Sequence, residues 1–263
     1  MPVVKIFPVL MVLSLLAAGC AGGRSGGDGY ATYDKNRHAG AIIELGVVAL
    51  NTGNYAKALA ALAEAEKLDP QNPVVKQYTG RTYFRLREYE KARANYEEAL
   101  RLNPRLTDVH NDLGLLFMET KDYARARDEF NICLSDLAYL NSTLARYNLA
   151  LVEEAEGNRD AARTIYQAII ASGEDNAAPY FRLAFMAYQD GNFTHAADLL
   201  NTAVRVDPNY AEAFFLLGDT YEKLGLKDEA AHAYGQAVVL DPKSLRGIEA
   251  QRRVREIMKD YRN

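Results

Sequence analysis

Apolar positions along the chain follow helical spacing inside a longer period of 34 residues. Set in rows from Ala39, the eighth residue of successive rows is Gly46, Gly80, Gly114, Ala150, Ala184 and Gly218, at spacings of 34, 34, 36, 34 and 34. Twelve residues after each comes Ala58, Ala92, Ala126, Ala162, Ala196 and Ala230. Four further on stand Leu62, Tyr96, Phe130, Tyr166, Leu200 and Tyr234, and three beyond those Ala65, Ala99, Cys133, Ile169, Ala203 and Ala237. Pro70, Pro104, Pro208 and Pro242 close four of the rows. These columns predict two antiparallel helices per row, in six rows: 39–72, 73–106, 107–140, 143–176, 177–210 and 211–244.

Each column has a physical reading. Small residues at the eighth position are expected to face the helix B alanine, so that the two axes approach closely. Turn residues in "NTGNYAKA", "METKDYARA" and "QDGNFTHA" separate the two helices of a row. A proline after Asp pushes that Asp out of the helical region and ends helix B. Rows three and four lack the closing proline, and Asn141 and Ser142 are inserted between them. Stacking is expected to be irregular there, with helix B of row three running on or the stack bending, which suggests a hinge or a partner contact. The last segment, 245–263, reads as a seventh helix. Leu245, Ile248, Val254, Ile257, Met258 and Tyr261 are expected to dock on row six, with Arg252, Arg253, Arg255, Lys259 and Arg262 facing out. A polar-faced terminal helix is what a stacked array needs for solubility.

The columns resemble the tetratricopeptide repeat over residues 39–244. That resemblance implies an all-α fold, a right-handed superhelical solenoid of six helix-turn-helix repeats with a C-terminal capping helix.

The N-terminal end has a different pattern. Lys5 precedes Ile6–Ala18, which is apolar apart from Ser14. Such a run is short of the roughly 20 residues that span a bilayer and fits the core of a secretory signal. It ends in Ala17-Ala18-Gly19-Cys20, which resembles the bacterial lipobox, although the usual Leu stands one place early, at Leu16. The resemblance implies a signal peptide over 1–19, acylation of Cys20 and, with Ala21 next, an outer-membrane anchor facing the periplasm. An ordinary signal peptide that contains a Cys is the alternative. The Gly-rich stretch that follows makes 20–38 a lipidated Cys with a flexible tether. Its glycines match no phosphate-binding loop.

Composition narrows the chemistry. A net charge of −4 suggests no nucleic-acid partner. Two cysteines, one of them Cys20, leave no disulfide framework. His38, His110, His195 and His232 are scattered, so neither a metal site nor a cofactor is expected. No nucleophile motif is present, Cys133 sits in a packing column, and the chain reads as no enzyme with no small-molecule substrate.

Protein binding is the remaining class. In the repeat family, partners lie in the concave groove lined by helix A. Its positions 2, 5, 9, 12 and 13 give Arg81, Phe84 and Arg85 in repeat two, and Asn111, Leu115 and Met118 in repeat three. Repeat four gives Tyr147 and Leu151, repeat five Phe181, Phe185 and Tyr188, and repeat six Phe215 and Asp219. Aromatics with Arg and Met are typical of protein interfaces, though several could instead fill the gaps between helices. The clamp that some relatives use on a C-terminal carboxylate needs Lys and Asn in repeat one, where this chain has Ile43 and Val47; a chaperone-tail binder is not expected.

Six such repeats behind a lipid anchor resemble the type IV pilus biogenesis lipoproteins of the PilF/PilW kind, most closely in "VHNDLGLLFMETKDYARARDEF" and "ARYNLALVEEAEGN". That family implies a pilotin, which binds a secretin subunit and helps it assemble in the outer membrane. The other reading is a periplasmic adaptor lipoprotein for cell-wall enzymes or polysaccharide export machinery.

Overall fold

The computed structural model describes residues 27–173 and 175–260. Among them it holds thirteen α-helices and no strand: α1 (Gly27–Asn51), α2 (Tyr55–Leu68), α3 (Pro73–Arg85), α4 (Tyr89–Leu102), α5 (Thr107–Glu119), α6 (Tyr123–Ser135), α7 (Ser142–Ala155), α8 (Arg159–Ala171), α9 (Ala177–Gln189), α10 (Phe193–Val206), α11 (Ala211–Lys223), α12 (Lys227–Leu240) and α13 (Leu245–Asp260). Each helix packs mainly on its chain neighbours, and six antiparallel pairs stack in order under α13. Odd-numbered helices also touch the next odd one, as α1 with α3, α3 with α5, α9 with α11 and α11 with α13. The even-numbered helices form no comparable row. The odd helices therefore line the inner, concave side of the stack.

The turn inside each pair is the same device six times. Gly53, Arg87, Lys121, Gly157, Gly191 and Gly225 all adopt positive φ and end the first helix in the left-handed region. Arg87 and Lys121, both at φ 61, hold that conformation without the freedom of glycine. Asn54, Asp122 and Asn192 then cap the second helix, each accepting a backbone N–H three residues on. Helix B ends at Asp69, Asp207 and Asp241, the residues before proline.

The small column works differently from the sequence expectation. Its residue faces the large side chain of helix B rather than chiefly the alanine. A Cβ on Gly114 would lie 2.5 Å from the Phe130 ring, and on Gly80 or Gly218 2.6 Å from the Tyr96 or Tyr234 ring. On Gly46 it would lie 3.0 Å from Leu62, a milder contact. Each ring lies against its glycine and is fully buried. The helix B alanines fill the rest of the seam, all at zero exposure in the first six pairs.

Three further expectations are corrected in part. The stretch read as a flexible tether, 20–38, is helical from Gly27 onward. Once Ala39–Asn51 is docked, extending the same helix adds a hydrogen bond per residue without a new nucleus, and Gly-rich composition does not prevent it. Cys20 and the signal 1–19 lie outside the described residues.

The junction between pairs three and four is braced. Helix α6 does not run on: it stops at Ser135. Asp136 accepts hydrogen bonds from the Thr107 hydroxyl at 2.5 Å and from the Ala138 N–H at 3.0 Å, and Tyr139 buries its ring against Cys133 and Ala145. Arg127 of α6 pairs with Glu153 of α7 at 2.8 Å and with Glu156, which caps the end of that helix. The two extra residues lengthen the connection that these anchors hold.

Helix α13 docks by a stripe that keeps Val254 and Ile257 of the expected one and replaces the rest. Gly247, Ala250, Val254 and Ile257 face α12, and Gly247 leaves no room for a Cβ beside the Asp241 carbonyl. Leu245, Ile248 and Met258, expected to dock, are exposed. Tyr261 and Arg262 lie outside the described residues. Two residues of the basic run are compensated, Arg252 by Glu249 and Glu256, and Arg253 by Glu249 and by Glu222 of α11 at 3.1 Å. Arg253 thus reaches inward and ties the cap to the last pair.

Candidate protein-binding groove

The concave side is built by repetition. Residues separated by a whole repeat occupy equivalent places on successive odd helices, so one helical face from each contributes to a continuous surface. The predicted contact residues fall into two groups on it.

Position five of helix A turns toward the next odd helix rather than toward open groove. Ile43, Gln77, Asn111 and Phe181 are all buried there. Asn111 accepts a 3.1 Å hydrogen bond from the Asn148 Nδ2 of α7, a buried polar rung between the two helices. Phe181 is 8% exposed and packs on the Tyr210 ring at 5.0 Å, inside the core that joins α9 to α11. These two are packing residues, which corrects their reading as open contacts. Tyr147 and Phe215 occupy the same position and are half-buried, packed at a tilt on Tyr166 and Tyr234 with ring centres 5.6 Å apart.

Positions nine and twelve are more open. Phe84, Leu115, Met118, Leu151, Phe185 and Tyr188 are half-buried. Phe84 leans on Tyr89, and Tyr188 meets Phe193 edge-on at 5.3 Å. The Arg182 guanidinium sits over the Phe185 ring at 5.8 Å and pairs with Glu154 of α7. Asp219 belongs to a closed cluster. The Tyr234 hydroxyl lies 2.5 Å from its Oδ1 and 2.6 Å from the Glu222 Oε2. Burial, with the Glu222 charge beside it, pushes the Asp219 carboxyl above the usual carboxylate range despite that hydrogen bond and Arg253.

At the other end of the groove a cavity of about 210 Å³ opens between α1, α3 and α5. The predicted residues Arg81, Phe84, Arg85 and Leu115 border it, joined by Leu50, Asn51, Tyr78, Tyr96 and Asp112. Arg81 donates its Nε to Asp112 at 2.7 Å, and the Gln77 amide donates to the same oxygen at 3.0 Å. Burial pushes the Asp112 carboxyl up, against the pull of Arg81 and Gln77. Tyr78 and Asp112 both stand at position six of their rows, beside the column chosen from the sequence. A repeat spacing of 34 between an aromatic and a carboxylate was the signal that could have found them.

Among the described residues no three His, Cys, Asp or Glu side chains are grouped to hold a metal ion. Cys133 is buried, and that burial pushes its thiol up to about 12, far from a reactive thiolate.

Comparison with known proteins supports the same architecture. Models of the tetratricopeptide repeat match residues 39–72, 79–134, 147–205 and 181–244. No curated protein sequence matches the chain. Among solved structures, PilF of Pseudomonas aeruginosa is similar at a TM-score of 0.70 and 22% identity, over 83% of this chain and 98% of that one. PilW, described as a widely conserved type IV pilus biogenesis factor, is similar at a TM-score of 0.70 and 19% identity, over 81% of this chain and 98% of that one. Yeast Tom70 reaches a TM-score of 0.66 at 19% identity, over 78% of this chain and 44% of that one. At such identities the likeness establishes the fold.

Proposed function

The chain belongs to the tetratricopeptide repeat family, and on that footing we propose that it is a lipid-anchored assembly factor of the bacterial outer membrane, acting as a pilotin for a secretin. As a repeat protein it is a scaffold for protein interaction. The more specific role rests on one observation: more than four-fifths of this chain matches 98% of the length of two type IV pilus proteins rather than a module cut from a larger chain. The Gly19-Cys20 pair supports the anchor, which would place the groove within reach of an outer-membrane client. Attachment through more than one acyl chain is firm enough to localise a protein that has no other hold on the membrane.

The scaffold contributes shape and chemistry rather than reaction. Its odd helices offer half-buried aromatics and Met along a preformed groove, so a partner segment that binds there does not have to order the receptor first. Deleting the gene in its own bacterium should abolish heat-resistant secretin multimers while monomer remains, and a Cys20→Ser chain should fail to restore them. Intact multimers in the deletion strain would sink the pilotin reading. If they come with altered cell-wall or polysaccharide phenotypes, the adaptor reading replaces it.

A further inference from the structure

We infer that the cavity between α1, α3 and α5 is an anchor pocket for a carboxylate of the partner polypeptide, gripped by Arg85 and the outer edge of Arg81. This rests on the groove reading above and gives that groove a ligand chemistry.

Size comes first. A cavity of about 210 Å³ falls below the range of roughly 300–1,000 Å³ in which small-molecule ligands are usually enclosed. It suits a single anchoring side chain inserted from the groove.

Charge comes next. The pocket holds two guanidinium groups and one carboxylate. That carboxylate, Asp112, is already committed: its side chain is 8% exposed and accepts from both Arg81 and Gln77. The Nε bond fixes Arg81 in place, and the Tyr78 ring supports its guanidinium at 5.2 Å. Among the described residues the two terminal amino groups of Arg81 make no hydrogen bond. Arg85, one helical turn on, is exposed and has neither an ion pair nor a hydrogen bond among them. The pocket therefore carries one positive charge in excess, with the Arg81 donors held by Asp112 and those of Arg85 free to turn toward a ligand.

An anchor of each kind meets this differently. A purely apolar side chain would cover Arg81 and Arg85 and take them out of water with nothing to accept from them. A cation would meet two guanidiniums. A carboxylate accepts from both, in the paired geometry that planar guanidinium donors favour. Leu50, Phe84 and Leu115 around the rim favour large apolar residues beside that carboxylate. The site is not the clamp that Ile43 and Val47 rule out; its donors come from other positions, in repeat two.

The test is selection of random dodecapeptides displayed in two formats, one with a free C-terminus and one embedded between fixed flanks. The baits are the full chain, its Arg85→Glu variant and its Phe84→Ser variant, each checked for unchanged helicity. The full chain should enrich Asp or Glu next to large apolar residues. A synthetic peptide so selected should bind Arg85→Glu about tenfold more weakly or worse. Selection on Arg85→Glu should lose the acidic preference. Enrichment confined to the free-terminus format would assign the carboxylate to a chain end; enrichment in both would assign it to Asp or Glu side chains. Peptides with no acidic preference, or ones indifferent to Arg85→Glu, would overturn the pocket while leaving the groove standing if Phe84→Ser still weakens them. Peptides indifferent to both variants, or none selected, would overturn pocket and groove together.

Discussion

Gly114→Ala is expected to lower the stability of the folded chain by about 2 kcal/mol, the opposite of what the same change does in most helices. In an ordinary exposed helix Gly→Ala gains about 1 kcal/mol, because alanine has less backbone freedom to lose. Here the added Cβ would lie 2.5, 2.7 and 2.8 Å from three atoms of the Phe130 ring. The ring is fully buried and cannot swing aside without separating α5 from α6. Overpacking of this kind costs about 1–3 kcal/mol, occasionally more, and it outweighs the propensity gain. Urea denaturation followed by circular dichroism reads the difference. Gly46→Ala provides the internal control. Its nearest neighbours are Leu62 Cγ at 3.0 Å and Cδ2 at 3.2 Å, which need give only a few tenths of an ångström, so the loss should be smaller or absent. The second control is the pair Gly114→Ala with Phe130→Leu, which reproduces the natural Ala184–Leu200 pair of the fifth repeat. The double variant should be more stable than the sum of the singles by about 1 kcal/mol or more, the coupling expected of side chains in contact. Strict additivity would show that the glycine is not there for the ring.

Phe181→Ser should cost about 3 kcal/mol, and the loss should concentrate in the last two helix pairs. The ring is 8% exposed and bridges α9 to Tyr210 at the start of α11. Serine removes that contact and leaves a cavity between neighbouring repeats. Stability in a stacked array is roughly a sum of repeat and interface contributions, so damage at one interface spreads only to adjoining repeats. Hydrogen exchange should therefore quicken across α9 to α12 and stay slow across α3 to α6. Phe185→Ser, at a half-buried groove position, should cost distinctly less. Equal losses for the two would contradict the division of helix A into a stacking stripe and an open stripe.

That division marks the limit of what the sequence made legible. The repeat columns located all six helix pairs, because small, large and turn residues at fixed spacing have one economical packing. Of the residues they proposed for the groove, Phe84, Arg85, Leu115 and Phe185 are half-buried or exposed. They did not separate position five from position nine, since both carry large side chains. Only the contact between successive odd helices buries Asn111 and Phe181. The docking stripe of α13 was read in part, with Val254 and Ile257 placed in it, and its first half was missed for a related reason. Its packed face is led by Gly247 and Ala250, small residues that no hydrophobic pattern selects, while the bulkier Leu245 and Ile248 face outward. Asp112 escaped because a charged residue reads as surface until its partners, Arg81 and Gln77, are seen converging on it from the neighbouring helix. The helical start at Gly27 had no apolar period to announce it.

Site-specific photocrosslinking in intact membranes tests the central claim, that the concave face holds the partner, most directly. A benzophenone amino acid would replace Phe84 or Phe185 in the groove, and Asn131 or Gln167 on the exposed side of α6 and α8. The account predicts one adduct of the same discrete mass from both groove positions and none from the other two. Adducts from Asn131 and Gln167, with Phe84 and Phe185 silent, would contradict it.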